Sequence, residues 1–267
     1  MMMRHTCLPA SLLLFILLST TGPVAGVDLD SVVIGNVPHV RQKPDFCGEA
    51  CAEMFLKKLG YPQWNQSHVF NVSGLDPVTG RGCHTRELDA ALSRIGFNTG
   101  SVWYSVRARD ATRQLDAIFT SLHTDLKAGI PSIVCMHYDD QPQTTEHFRL
   151  IVGFDQKKDE VIFHEPAVAA GAYRRMKRTT FLELWPLKYR SDRWTVIRLR
   201  LKAEKIGRPR PVTGFSNADY AQHIQQLKKK LPNDEFHIIV QKPFVVLGDE
   251  SFAQVRSRSV NTVKWAI

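Results

Sequence analysis

The sequence has little of what would make a metalloprotein, a membrane protein or a nucleic-acid binder. It contains no Cys-x-x-Cys and no His-Glu-x-x-His, and Cys83 beside His84, with no second pair at ligand spacing, makes a poor zinc site. His164-Glu165-Pro166 lacks a following histidine at helical spacing, so it is not a metalloprotease motif. No metal and no cofactor is expected. Past the first 26 residues no apolar run approaches the length of a membrane span, and there is no internal repeat or low-complexity tract. Aromatic residues are not interleaved with the basic ones, which leaves a nucleic-acid groove without support.

Cysteine is sparse, at five in 267 residues. Cys7 lies in an N-terminal segment where Arg4 and His5 precede the apolar run Leu8 to Leu18, and Val24-Ala25-Gly26 offers the small residues a signal peptidase reads. The run is too short to span a membrane, and Cys7 precedes it, which argues against a lipoprotein anchor. Residues 1–26 are therefore expected to be a signal peptide, and the mature chain to be secreted or periplasmic. That leaves Cys47, Cys51, Cys83 and Cys135 in a compartment where disulfides persist. Asn65-Gln-Ser67 and Asn71-Val-Ser73 fit the glycosylation sequon.

What the chain does have is a cysteine placed to open a helix. In Gln42-Lys-Pro-Asp-Phe-Cys47-Gly-Glu-Ala-Cys51, Pro44 and Asp45 stop an earlier start, and Ala50, Met54, Phe55 and Leu59 recur at helical spacing beyond Cys47. A thiol at a helix N-terminus meets the positive end of the macrodipole and unpaired N–H groups, which favours its thiolate. Gly48 would give a substrate carbonyl room, and Gln42 with the Cys47 backbone N–H could hold an oxyanion. A lone cysteine at such a place is more often structural, so a distant histidine and carboxylate must settle the matter.

Both are present about 100 residues on. His147-Phe-Arg-Leu-Ile-Val-Gly-Phe-Asp155 reads as a strand opened by the histidine, and Glu160-Val-Ile-Phe-His-Glu165-Pro166 as the next, joined by a short turn. The hairpin brings His147 near Glu165. The imidazole would take the Cys47 proton and later give it to a leaving amine, while the carboxylate fixes the tautomer.

These residues resemble the papain-like peptidases that process bacteriocin leader peptides at double-glycine sites. The likeness rests on Gln42 ahead of Cys47-Gly48-Glu49-Ala50, on His147 opening its strand, and on Glu165-Pro166 closing the next. It runs from about residue 36 to 201 and includes Gly82-Cys83-His84 leading into what looks like that family's second helix. The chain departs from the pattern at Glu49, where the family commonly has proline, and at Glu165, where it has aspartate or asparagine. The resemblance implies a cysteine peptidase with a peptide or protein substrate, a Cys47-His147-Glu165 triad and Gln42 at the oxyanion. Transpeptidation needs the same residues, and a non-catalytic binding module that keeps the fold is the rival from another class.

If Cys47 must stay free, one bridge can form among the other thiols, and Cys51 with Cys83 is the pair expected from sequence position. Cys51, one turn beyond Cys47, should share its face of the helix.

Helices are expected near 47–60, 84–96 and 110–128, and strands near 131–138, 147–155, 159–165 and 193–202, with a helical piece around Phe181 to Trp185. Helices first and an antiparallel sheet after make an α+β chain with a papain-like arrangement, the nucleophile on the helical side and the histidine and acid on the sheet. Residues 32–202 suffice for one domain with its own core. The proline- and glycine-rich stretch 203–216 reads as a linker, and 217–267 as a small α/β tail, either a domain fragment or an appendage packed on the first domain. Charge is uneven: residues 1 to 171 hold 15 Lys and Arg against 18 Asp and Glu, residues 172 to 267 hold 20 against 8. Basic runs such as Arg174 to Arg178 and Lys228 to Lys230 could meet an anionic surface, although a solvated face is the commoner fate of such runs.

Overall fold

The computed structural model describes residues 29–141, 144–263 and 265, so the expected signal peptide lies outside the described residues. Its helices are α1 (Cys47–Lys58), α2 (Gln66–Ser73), α3 (Thr85–Ile95), α4 (Ala111–Lys127), α5 (Arg178–Leu184), α6 (Asn217–Lys228) and α7 (Phe252–Arg258). The strands are β1 (Val32–Val33), β2 (Phe97–Asn98), β3 (Trp103–Arg107), β4 (Ser132–His137), β5 (Glu146–Asp155), β6 (Glu160–His164), β7 (Arg174–Lys177), β8 (Arg193–Arg200), β9 (Lys202–Ala203), β10 (His237–Gln241) and β11 (Phe244–Gly248). Among the described residues no helix is long and apolar enough to cross a membrane.

Seven strands form one antiparallel sheet in the order β3-β8-β4-β5-β6-β7, with β1 pairing to the far half of β5. Side chains alternate across a strand, and the sheet buries two apolar faces accordingly. Phe148, Leu150 and Val152 of β5 join Ile133, Cys135 and Ile197 under α1, α2 and α3. Ile151 and Phe154 join Val134, Met136 and Val196 under α4 and α5. The fold is therefore α+β and papain-like, with the cysteine helix on one face of an antiparallel sheet.

The strand-end geometry positions the site. β6 pairs with β5 only from Leu150 to Asp155, so the first residues of β5 have no strand beside them on that edge. The N-terminal end of α1 comes against that open edge. Gly48 allows the approach: it is buried, and a Cβ there would lie 2.5 Å from Leu88 Cδ2 and 3.2 Å from Phe148. Its smallness thus serves packing of α1 on α3 and β5, where the sequence suggested room for a substrate carbonyl.

Helix α2 falls between the expected elements, on the two sequons. Asn65 caps it, its Oδ1 accepting from His68 N–H at 3.0 Å, and Gly74 ends it at φ +84°. Asn71 Oδ1 accepts from the backbone N–H of Ala218, tying α2 to α6. Helix α6 packs its Ala218 and Ala221 into the same core as α1 and α3, and the β10–β11 hairpin covers Tyr220 and Ile224. The stretch before it is also anchored: β9 pairs with β2, and Gly207 O accepts from Trp64 Nε1 at 2.8 Å.

Part of the basic excess is paired with acids of the same domain. Arg175 bonds Asp155 at 2.7 Å, Lys177 meets Glu160 at 3.2 Å and Arg178 bonds Asp159 at 2.7 Å, so the run on β7 neutralises the hairpin beside it. Arg198, fully buried, is matched by Asp125, Ser132 and Ser121.

Candidate active site

Cys47 is the first residue of α1 and lines a cleft of about 460 Å³. One rung of the sheet floors it. Phe148 faces Cys135, Cys135 faces Ile197 and Ile197 faces Trp103, and all four line the cleft. Gly82 and Cys83, ahead of α3, line it as well, bonded to Asp45 and Glu49 on either side of Cys47.

The thiols of α1 meet β5 at its open edge. The Phe148 carbonyl accepts from Cys51 Sγ at 3.8 Å, and the Phe148 N–H lies where it favours the Cys47 thiolate. Burial pushes the Cys47 thiol up to about 12, Glu49 and Asp45 add to the rise, and the N–H groups of Phe148 and Gly48 pull the other way. The helix N-terminus alone favours a thiolate, but here desolvation with two nearby carboxylates outweighs it. A thiol held this way needs a base to become a nucleophile.

His147 and Glu165 do come together. His147 Nε2 lies 2.6 Å from Glu165 Oε1, with both side chains buried. The register that places Leu150 opposite His164 puts the residue after β6 beside the start of β5. Glu165 is gripped further: Oε1 also accepts from Ala167 N–H at 3.0 Å, and Oε2 accepts from Arg149 Nε at 2.7 Å. Burial pushes Glu165 up, but the His147 hydrogen bond and charge, Arg149 and the Ala167 N–H prevail and hold it at about 2. It is a carboxylate at all ordinary pH.

Arg149 is a residue the sequence reading missed. It stands two positions from His147 on the same face of β5, and its other nitrogens donate to the carbonyls of His137 and Tyr138. A charged residue inside the otherwise apolar run Phe148 to Phe154 was the available signal.

No hydrogen bond joins Cys47 Sγ to His147, whose side chain leaves β5 on the face opposite Phe148, and His147 is not among the residues lining the cleft. His147 Nδ1 has no protein hydrogen-bond partner among the described residues. Gln42 is tied to the same region by its backbone N–H, which donates to Pro166 O at 2.9 Å. Its side-chain Oε1 is buried without a partner, and Gln42 is not among the residues lining the cleft.

The expected bridge between Cys51 and Cys83 is not formed, and all four described cysteines are free. The reason is helical geometry. Cys51 Sγ turns to the Phe148 carbonyl on β5, whereas Cys83 lies on the other side of α1 against Glu49 and Ser73.

The family model described as "Peptidase_C39 like family" matches residues 34–192, a span that holds Gln42, Cys47, His147 and Glu165. No curated protein matches the chain. With that match over more than half its length, on a papain-like frame with the cysteine at the head of its helix, the chain belongs to the Peptidase_C39-like family of cysteine peptidases.

Proposed function

We propose that the chain is a thiol hydrolase that cleaves a peptide or amide bond through Cys47, His147 and Glu165. The observation that carries this reading is the 2.6 Å bond from His147 Nε2 to Glu165, which commits one ring nitrogen and leaves Nδ1 without a protein partner, one residue along β5 from Phe148, whose carbonyl meets Cys51 of the nucleophile helix. The steps follow from the site. His147 takes the thiol proton as Cys47 attacks the carbonyl, Glu165 steadies the imidazolium, and the same proton passes to the leaving amine. Water then resolves the thioester, again with His147 as base. An amine in place of water would give transpeptidation from the same residues.

The Cys47 backbone N–H is one oxyanion donor and the Gln42 amide the other. What supports Gln42 is its backbone tie to Pro166, next to the acid. Export rests on the leader, and recovery from the medium of a protein beginning at Val27 would test it.

A second reading has its own observation. Burial that holds Cys47 at about 12, with no hydrogen bond to His147, suits a binding module that keeps the fold without the chemistry. Incubation with a mixed peptide library, followed by mass spectrometry, separates the two. Hydrolysis that disappears in a folded Cys47→Ala variant supports the hydrolase; cleavage that persists in that variant overturns the assignment.

A further inference from the structure

Asp45 and Glu49 stand two residues to either side of Cys47, and they hold consecutive amides of one cleft wall. Asp45 Oδ2 accepts from Gly82 N–H at 2.9 Å, and Glu49 Oε1 accepts from Cys83 N–H at 2.8 Å. Gly82 is glycine for the same contact, since a Cβ there would lie 1.8 Å from the Asp45 carbonyl oxygen. The start of the nucleophile helix and the Gly82–Cys83 wall of the cleft are therefore fastened together beside Cys47.

Glu49 is an expensive choice for this task. It is fully buried, and its Oε2 has no hydrogen-bond partner. A buried carboxylate with an unpaired oxygen costs more than an apolar residue of similar size. The titratable groups facing it are Asp45 from the preceding loop, Cys83 from the cleft wall, and Cys47 and Cys51 from its own helix. Burial pushes Glu49 up to about 7, offset in part by the N–H and thiol of Cys83. The Cys83 N–H can donate to the acid in either protonation state, so the wall stays held across that range. What changes is a negative charge one half-turn from the nucleophile.

We propose that Glu49 is a positioning residue for the reaction at Cys47: it holds the Gly82–Cys83 wall against α1, and its charge restrains Cys47 from giving up its proton. The inference rests on Cys47 being the nucleophile of the proposed hydrolase. Protonation of Glu49 releases the restraint, so at a given pH the Cys47 proton is easier to remove when Glu49 is neutral than when it is charged.

The test is iodoacetamide labelling of Cys47 in the full chain, located by peptide mapping, for wild type, Glu49→Gln, Glu49→Ala and His147→Ala. Gln keeps the acceptor for Cys83 N–H and removes the charge. Glu49→Gln should label about fivefold faster than wild type well above pH 7 and at the wild-type rate below about pH 6, where Glu49 is already neutral. Glu49→Ala should show the same dependence and also faster hydrogen exchange at the Cys83 amide, which Glu49→Gln should not. A Glu49→Gln to wild-type ratio that is constant with pH overturns the inference. If that ratio is flat while labelling still depends on His147, only the inference fails; if His147→Ala changes nothing, the hydrolase reading fails with it.

Discussion

Arg149 Nε lies 2.7 Å from Oε2 of Glu165, on the oxygen that His147 does not use. The acid of the candidate triad is thus fixed at both ends, by an imidazole that can move protons and a guanidinium that cannot. Arg149 is itself nearly buried, stacked between the rings of Tyr138 and Phe163. Glutamate is one methylene longer than the aspartate usual at this place, and a second anchor is what such a side chain needs to stay in one orientation.

Removing that anchor should be costly. Arg149→Met leaves Oε2 of a buried carboxylate with no partner, and breaking a buried pair in this way costs about 3–5 kcal/mol. The expected result is a matching fall in unfolding free energy in a denaturant titration. Arg149→Lys, which keeps the charge without the fork, should recover only part of it.

Glu165 also predicts an acid limit to stability. Its folded value of about 2 lies below the ordinary carboxylate value of 4.5, so the folded state binds the proton less readily than the unfolded chain. The stabilisation is present above pH 4.5 and is lost as pH falls through about 2, on the order of 3 kcal/mol in all. Melting measured across this window should fall more steeply for wild type than for Glu165→Gln. Parallel curves would mean that the pairing with His147 and Arg149 contributes little.

Glu49 works in the opposite direction. Its folded value, about 7, lies above 4.5, so its contribution is fully present below pH 4.5 and is lost as pH rises through about 7. Glu49→Gln should flatten the decline in stability between those limits, as seen in melting temperature against pH.

Helix α6 predicts that the C-terminal residues matter to the frame of the site. Its Ile224 is fully buried against the turn at Gly80, and Gln222 Nε2 donates to the carbonyl of Pro44, just ahead of the nucleophile, at 2.8 Å. Ile224→Ala should cost about 2–5 kcal/mol in unfolding free energy. A change within measurement error would show α6 to be a detachable appendage.

The parts of this fold that could be read from the sequence are those with a strong period. The amphipathic spacing after Cys47 and the apolar runs of β5 and β6 specify a helix and a hairpin, and the hairpin in turn specifies that His147 meets Glu165. Short or polar elements gave no such signal. α2 has only eight residues between its Asn65 cap and Gly74, and β7 is the charged edge run Arg174 to Lys177, which pairs with β6 and matches its acids. The disulfide expectation failed because sequence distance does not say which side of α1 a thiol occupies. In the sequence Glu49 stood out only as a departure from the family's usual proline, and only tertiary burial makes it a charge that Cys47 must contend with. Within the basic residues 172 to 267, the pairing of Arg175, Lys177, Arg178 and Arg200 with Asp155, Glu160, Asp159 and Asp125 likewise appears only once the fold brings those acids beside them.

The central claim is that the Cys47 proton goes to His147. The most direct measurement is the rate of Cys47 alkylation by iodoacetamide at neutral pH in wild type and in His147→Ala, with the modified residue identified by peptide mapping. Alkylation at pH 7 that slows about 100-fold or more when His147 is removed is the predicted result. Two superimposed curves that rise only in strong alkali, as a thiol held at about 12 without a base would give, would contradict it.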